Sequence, residues 1–540
     1  MKKTFTNPIL KGFYPDPSVC RVGEDYYMVT SSFCYFPGLP VFHSKDLVNW
    51  RQLGHAISRP EQIDYRKAAH SEGLWAPTIR YHEGVFYIIN TYVSEGREAQ
   101  RCNFIVTAEN PAGPWSDPVV IEGADGIDPS IFFDDDGRVW YCGNFICDPA
   151  KYPGHHGIYL CELDSQTFQF KGERKVIWDG DVCHAKYIEA PHIYKINGWY
   201  YLMVAEGGTF TNHSVMMARA KQIDGEYEVC QRNPIVSHRH LSLVHPISVV
   251  GHGDLVETQN GQWWMVLLGV RPYDGAQFNT GRETFLIPIT WEKDGWPRID
   301  NENGLVNERE LRPDLPWHPW MKPSPCDNFE DGVLGMQWNQ FRSVRTDFYT
   351  LTERPGYLRM KFSSDGIDRD YITPSFIGRR QQHQYFGAGC AMEFSPGADG
   401  EEAGMALVQS NEFNYLFTVK REMGKLYLVL SRHYNDAQCI ECEYYETNIV
   451  KEELKRIELP GNSGRIYLRV QNDCETYCFS YGFREQEYIP FADGVDATLL
   501  STNVAGGFVG AYLGMYGTSN GQLSDNYADF DWFEYYPWGD

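Results

Sequence analysis

Three acidic side chains stand out because of the company they keep. Asp16 lies in YPDPS, Asp128 in GIDPS and Glu189 in YIEAPHIYK. A lone Asp-Pro is ordinary turn chemistry, but Glu189 falls inside an apolar strand-like run, where an unpaired carboxylate is costly. If the three converge, they repel one another when all are ionised, so at least one is held protonated at neutral pH. A carboxyl in that state is a general acid, and an ionised neighbour is a general base or nucleophile. Two such groups on either side of an acetal carbon are the machinery that cleaves glycosidic bonds. Arg282, in GRETFLIP, is a cation in an otherwise apolar strand and wants an anionic or hydroxyl-rich partner. Phe33, Phe36 and Trp75 offer flat apolar faces suited to walling a sugar pocket. A metal cage is the competing use of the carboxylates, since oxygen ligands with His252 would suit Ca²⁺.

Convergence requires elements that bring distant residues together, and an internal repeat supplies them. Five segments share a small or acidic residue, an apolar run, a Gly turn and an aromatic-rich strand. They begin at Asp16, Ala76, Asp128, Ala190 and Gly253, with turns at Gly23, Gly84, Gly137, Gly198 and Gly261. Each is a β-hairpin pattern, and spacings of 52 to 63 residues allow four short strands per unit. The pattern predicts an all-β chain with a five-bladed β-propeller over residues 1–300. In that alignment the five starting residues form one ring around the axis. Pro15, Trp75, Ile127, Glu189 and His252 directly precede them. Residues 301–325 read as a Pro-rich linker, and 326–540 as a β-sandwich of jelly-roll or lectin-like type, from alternating runs such as GRIYLRVQND.

Composition narrows the partners. Against 72 Asp and Glu there are 48 Lys and Arg, a formal charge of -24, so a phosphate backbone is repelled over most of the surface. Nucleic acid is excluded and a neutral substrate favoured. No apolar run is long enough to span a membrane, and the first residues contain no apolar core of a signal peptide. With 14 cysteines, this predicts a cytoplasmic protein with reduced thiols. Cys439, Cys442, Cys474 and Cys478 have a spacing compatible with zinc, but they sit in strand patterns and are expected to be buried thiols.

The motifs NPILKGFYPDPSVCRVGEDYYMVTSSF, GLWAPTIR, GIDPSIFFDDDG, YIEAPHIYK, AEGGTF, GHGDLVETQNGQWW and GRETF, in that order, resemble the family 43 glycoside hydrolases, in particular β-xylosidase members with a C-terminal β-sandwich. The resemblance runs to DFDWFEYY and so covers nearly the whole chain. It implies an inverting exo-hydrolase that releases xylose from the non-reducing ends of short xylo-oligosaccharides. By the same resemblance Asp16 is the general base, Glu189 the general acid, and Asp128 the group that holds the acid's pKa and orientation. Phe33, Trp75, His252 and Arg282 line the terminal sugar subsite, and Phe508, in AGGFVGAY, caps the pocket from the sandwich. No cofactor is required, with Ca²⁺ beside His252 a possibility by analogy, and a homodimer or tetramer is expected by analogy alone. One departure is Ala190, where the general-acid motif usually carries Gly. The alternatives are an α-L-arabinofuranosidase acting on arabinoxylan side chains, and a non-catalytic carbohydrate-binding propeller. The Asp-Pro-Asn motif of retaining fructan-cleaving relatives is absent.

Overall fold

The computed structural model describes residues 3–94, 100–436, 448–461 and 464–538. The chain divides into two compact units. The first comprises residues 1–63, 67–272 and 282–321, and the second residues 64–66, 273–281 and 322–540.

The first unit contains five antiparallel sheets in sequence order. Sheet one consists of Ser18–Val22, Asp25–Val29, Gly38–Ser44 and Trp50–Ile57. Sheet two is built on Thr78–His82, Val85–Ser94 and Gln100–Ala108. Sheet three holds Ser130–Phe133, Val139–Ile146, His156–Leu163 and Lys175–Trp178. Sheet four begins with Glu189–Ile196, Trp199–Glu206 and Ser214–Ala220. Sheet five comprises Ser248–Glu257, Trp263–Val270, Glu283–Trp291 and Pro297–Ile299. The repeated hairpin is the first strand pair of each sheet. Gly23, Gly84 and Gly198 take φ of 63°, 89° and 74° in its turn, a conformation that suits glycine.

The sheets are joined by apolar packing between consecutive members. Ile89 and Ile105 of sheet two meet Ile131, Tyr141 and Tyr159 of sheet three. Leu160 of sheet three joins Ile193, Leu202 and Val204 of sheet four. Met203 and Met217 of sheet four pack with Met265, Leu267 and Phe285 of sheet five. Sheet five then meets sheet one, as Val256, Trp264 and Val266 bury Val19, Met28 and Phe42. Tyr27 of sheet one contacts Phe86 of sheet two, with ring centroids 4.9 Å apart. Fully burying each such side chain contributes about 1.5–3 kcal/mol against the entropy of ordering the chain. Thr4–Thr6 pairs with Arg309–Leu311, tying the N-terminus to the segment after sheet five. The proline-rich stretch that follows lies back on sheet one: the Arg51 guanidinium sits 3.9 Å over Trp320, and His318 N–H donates to Asp46 at 2.8 Å.

The hairpin register corrects one feature of the sequence alignment. Ser18 pairs with Val29, Thr78 with Ile89, Ser130 with Cys142, His192 with Met203 and Asp254 with Val266. Asp254, not Leu255, is therefore the equivalent of Ser18. Two residues earlier, the ring position is held by Asp16, Ala76, Asp128, Ala190 and His252, so His252 replaces Gly253. The fifth hairpin turns between Glu257 and Trp263, as the third does between Phe133 and Val139, but the pairing of its first strand shifts register between Gly251 and Asp254, which a comparison along the sequence does not see. Backbone conformation agrees: Asp16, Asp128, Ala190 and His252 have φ of 54°, 54°, 50° and 49°.

The second unit is a β-sandwich. An eight-stranded sheet contains Tyr385–Phe394, Arg465–Asp473, Thr476–Arg484 and Tyr527–Pro537 among its strands. A six-stranded sheet includes Glu402–Val408, Asn414–Glu422, Lys425–Asn435 and Tyr512–Thr518. Alternate residues of both, such as Phe386, Ala388, Cys390 and Met392 against Met405, Leu407, Tyr415 and Phe417, share one core. Cys439 and Cys442 lie outside the described residues; Cys474 and Cys478 are partly buried, and the Cys478 thiol sits 2.7 Å from an Asp493 oxygen.

Candidate active site

The left-handed backbone at Asp16 and Asp128 is uncommon for a residue with a side chain. It turns each carboxylate off the start of its first strand. Asp16 is 3% exposed. Its Oδ1 accepts from Arg282 Nη1 at 2.8 Å, and its Oδ2 accepts from the Ser31 hydroxyl. His252 Nδ1 stands 3.8 Å from the same Oδ1. Arg282 Nη1 also donates to the Thr209 hydroxyl at 3.0 Å. The arginine thus finds the anionic partner that its apolar strand context required.

Asp128 and Glu189 form an electrostatic pair. Burial, then Glu189, then Asp16 push the Asp128 carboxyl well above the usual range, against the opposing pull of Arg282. Burial, then Asp16, push Glu189 up to about 7, again opposed by Arg282. Glu189 keeps partial solvent access while Asp128 is buried. Both carboxyls of the pair therefore hold a proton more readily than a free side chain does, while Arg282 and the Ser31 hydroxyl donate to Asp16. The backbone N–H of Asp128 donates to the Thr91 hydroxyl at 3.1 Å, and Thr91 in turn donates to Asn103 Oδ1 at 2.6 Å.

An aromatic wall stands beside these groups. The Phe33 ring lies 5.6 Å from the Arg282 guanidinium and 6.2 Å from Trp75, with Phe13 5.6 Å behind it. Phe33 and Leu74 exchange backbone hydrogen bonds of 2.9 and 3.1 Å. Gly73 permits that contact: a Cβ there would stand 2.4 Å from the Phe33 carbonyl oxygen. Trp75 is fixed by its indole N–H to Ser71 O at 3.2 Å. Phe508 belongs to the second unit, in the loop after Thr502–Ala505, and is partly exposed.

Two residues after the ring position, a second polar cluster joins four of the sheets. Asp254 is fully buried and accepts from Arg80 Nη1 at 2.9 Å, Ser18 Oγ at 2.6 Å and the Tyr194 hydroxyl. His192 Nδ1 lies 2.9 Å from Arg80 Nη2. Arg80 holds the Asp254 carboxyl down at about 2 despite burial, and burial holds His192 down at about 3. Calcium prefers six to eight oxygen ligands. Near His252 the carboxylate oxygens already serve Arg282, Ser31, Arg80 and Ser18. Among the described residues no group of three or more His, Cys, Asp or Glu side chains is arranged to hold a metal.

Sequence reasoning did not single out Ser31, Thr209, Thr91 or the Arg80–Asp254 pair as site residues. Thr209 lies in AEGGTF and Asp254 in GHGDLVET, but a hydroxyl or carboxylate in a strand-end motif has no partner until the sheets are assembled.

Residues 5–297 match the family model described as glycosyl hydrolases family 43, and residues 326–536 match the β-xylosidase C-terminal concanavalin A-like domain. The chain belongs to glycosyl hydrolases family 43. Its relatives include a xylosidase/arabinosidase of Butyrivibrio fibrisolvens, 40% identical over 98% of both chains. A non-reducing end α-L-arabinofuranosidase of Bacteroides ovatus is 39% identical, covering 99% of this chain and 95% of the relative. Among solved structures, a xylan β-1,4-xylosidase from Bacillus halodurans superposes with a TM-score of 0.90 at 34% identity, over 98% of this chain and 99% of its own. The hydrolase thus carries its carboxylate cluster on the unit that matches the catalytic family.

Proposed function

We propose that this glycoside hydrolase is an exo-acting, inverting β-xylosidase, with α-L-arabinofuranosidase activity at the same site. The observation that carries the reading is the division of labour among three carboxylates: Asp16 held by Arg282 and Ser31, beside an Asp128–Glu189 pair whose pKa values are raised. Glu189 donates its proton to the glycosidic oxygen. Asp16 accepts a proton from the water that attacks the anomeric carbon from the opposite face, giving a sugar of inverted configuration. Asp128 keeps Glu189 oriented, while burial and Asp16 keep the proton affinity of Glu189 high. Phe33 and Trp75 stack on the terminal sugar and Arg282 contacts its hydroxyls, with His252 filling the ring position between them. The five sheets, packed in sequence and closing from fifth to first, support a five-bladed propeller around this cluster. Xylosidase and arabinofuranosidase names both occur among relatives of about 40% identity, which keeps the second sugar in view.

The test is proton NMR of the enzyme with xylobiose, following the anomeric signals from the first minutes. Early α-xylose is expected. Early β-xylose would mean retention and remove Asp16 as general base. No turnover of xylobiose with turnover of an arabinofuranoside would make arabinofuranosidase the principal activity.

A further inference from the structure

Asn144 sits in the second strand of sheet three, 3% exposed. Its Oδ1 accepts from the backbone N–H of Ile127 at 2.7 Å. Its Nδ2 donates to the carbonyl of Ile188 at 3.2 Å. Ile127 immediately precedes Asp128, and Ile188 immediately precedes Glu189, on sheets three and four. One carboxamide therefore bridges the backbones that present both members of the pair. Its orientation is set by its partners, since only an oxygen accepts from an N–H and only the amide nitrogen donates to a carbonyl. The segment also presses flush on this residue: Gly126, with φ of 80°, has room for no Cβ, which would fall 1.9 Å from Asn144 O. The opposite side of the segment is held by Asn103, which donates to Ala124 O at 3.2 Å, and by the contact of Asp128 N–H with Thr91. Neither of these reaches Glu189.

We propose that Asn144 is a positioning residue that fixes the general acid Glu189 relative to Asp128, and so serves the protonation of the leaving group specifically. The proposal rests on the hydrolytic reading above. It follows that loss of the bridge harms substrates that need the acid and spares those that do not. A xylose leaving group needs a proton; a nitrophenolate of low pKa scarcely does.

The measurement is kcat/KM of Asn144→Ala on xylobiose and on a nitrophenyl β-xyloside, with Tm as a control. Displacements of about 1 Å at a reacting group cost up to about 100-fold. The expected loss is about 10- to 100-fold on xylobiose and under about 3-fold on the aryl xyloside. Equal losses on both would overturn the proposal and leave Asn144 as a core contact. Because Asn144→Ala leaves two buried backbone groups unpaired and could fail to fold, Asn144→Asp provides a second route. Protonated at pH 5 it offers the same acceptor and donor; ionised at pH 8 it loses the donor. Its xylobiose-to-aryl-xyloside ratio, relative to wild type, is expected to be near one at pH 5 and about tenfold lower at pH 8. A relative ratio unchanged between the two pH values overturns the proposal. Wild-type enzyme inactive on both substrates would instead refute the xylosidase reading on which the proposal rests.

Discussion

At the scale of single residues, the site is organised by proton affinity. Burial and Asp16 lift Glu189 to about 7, so the acid must lose its proton as pH rises through that value. The basic limb of kcat/KM on xylobiose is accordingly expected near pH 7, and a limb unmoved in Glu189→Gln on an aryl xyloside would assign it to another group. The same shift has a stability cost whose sign follows from linkage. A carboxyl with a folded pKa above its unfolded value favours the native state less once pH exceeds both, whereas below the unfolded value, near 4, it contributes nothing either way. Glu189→Gln should therefore stabilise the protein at pH 8 by on the order of 1–3 kcal/mol and hardly at pH 4. Thermal unfolding at both pH values reads this directly. Asp16→Asn should reduce kcat on xylobiose by about 10²- to 10⁴-fold, measured as initial rates at saturating substrate on protein shown to be folded.

At the scale of elements, four sheets are pinned by the buried pair Arg80–Asp254, with Ser18 and Tyr194 completing the acceptor's partners. Removing the cation alone leaves a fully buried carboxylate unpaired, which costs about 3–5 kcal/mol. Arg80→Ala is thus expected to lower the urea midpoint far more than Arg138→Ala, whose partner Asp136 is exposed at the third hairpin turn. The pair's stabilisation is present at neutral pH, because the Asp254 pKa is depressed to about 2, and disappears only as pH falls toward that value. Equal effects of the two substitutions would show that this cluster does not hold the sheets. Strand identity and the hairpin turns were legible from period-two patterning and the turn glycines. The register of sheet five was not, because the irregular pairing of its first strand between Ser248 and Asp254 is invisible until strands are paired.

For the whole molecule, the relevant quantity is charge. With a net formal charge of -24 and a neutral substrate, long-range fields neither attract nor repel xylobiose. Its kcat/KM should change by less than about twofold between 20 and 500 mM NaCl, as screening alters only charge-dependent encounters. A steep salt dependence would point to a charged group in the true substrate. No helix among the described residues is long and apolar enough to cross a membrane.

The residue types determined much of the chemistry. Five repeated hairpins, two Asp-Pro motifs and a glutamate in an apolar strand are local facts of the chain, and they were sufficient to name Asp16, Asp128, Glu189 and Arg282 together. Tertiary structure alone decided which oxygen each group holds. The Arg282 contact to Asp16 spans 266 residues and the Arg80 contact to Asp254 spans 174. Thr91 and Asn144 gained partners only because the fold brings them to the backbone beside Asp128 and Glu189, and Thr209 because it is brought to the Arg282 guanidinium. Pattern along a chain records what each residue needs, namely burial, a turn or a counter-charge. Which partner meets that need is set by the packing of sheets far apart in sequence, and hydrogen-bond geometry is too short-ranged to leave a trace in local order.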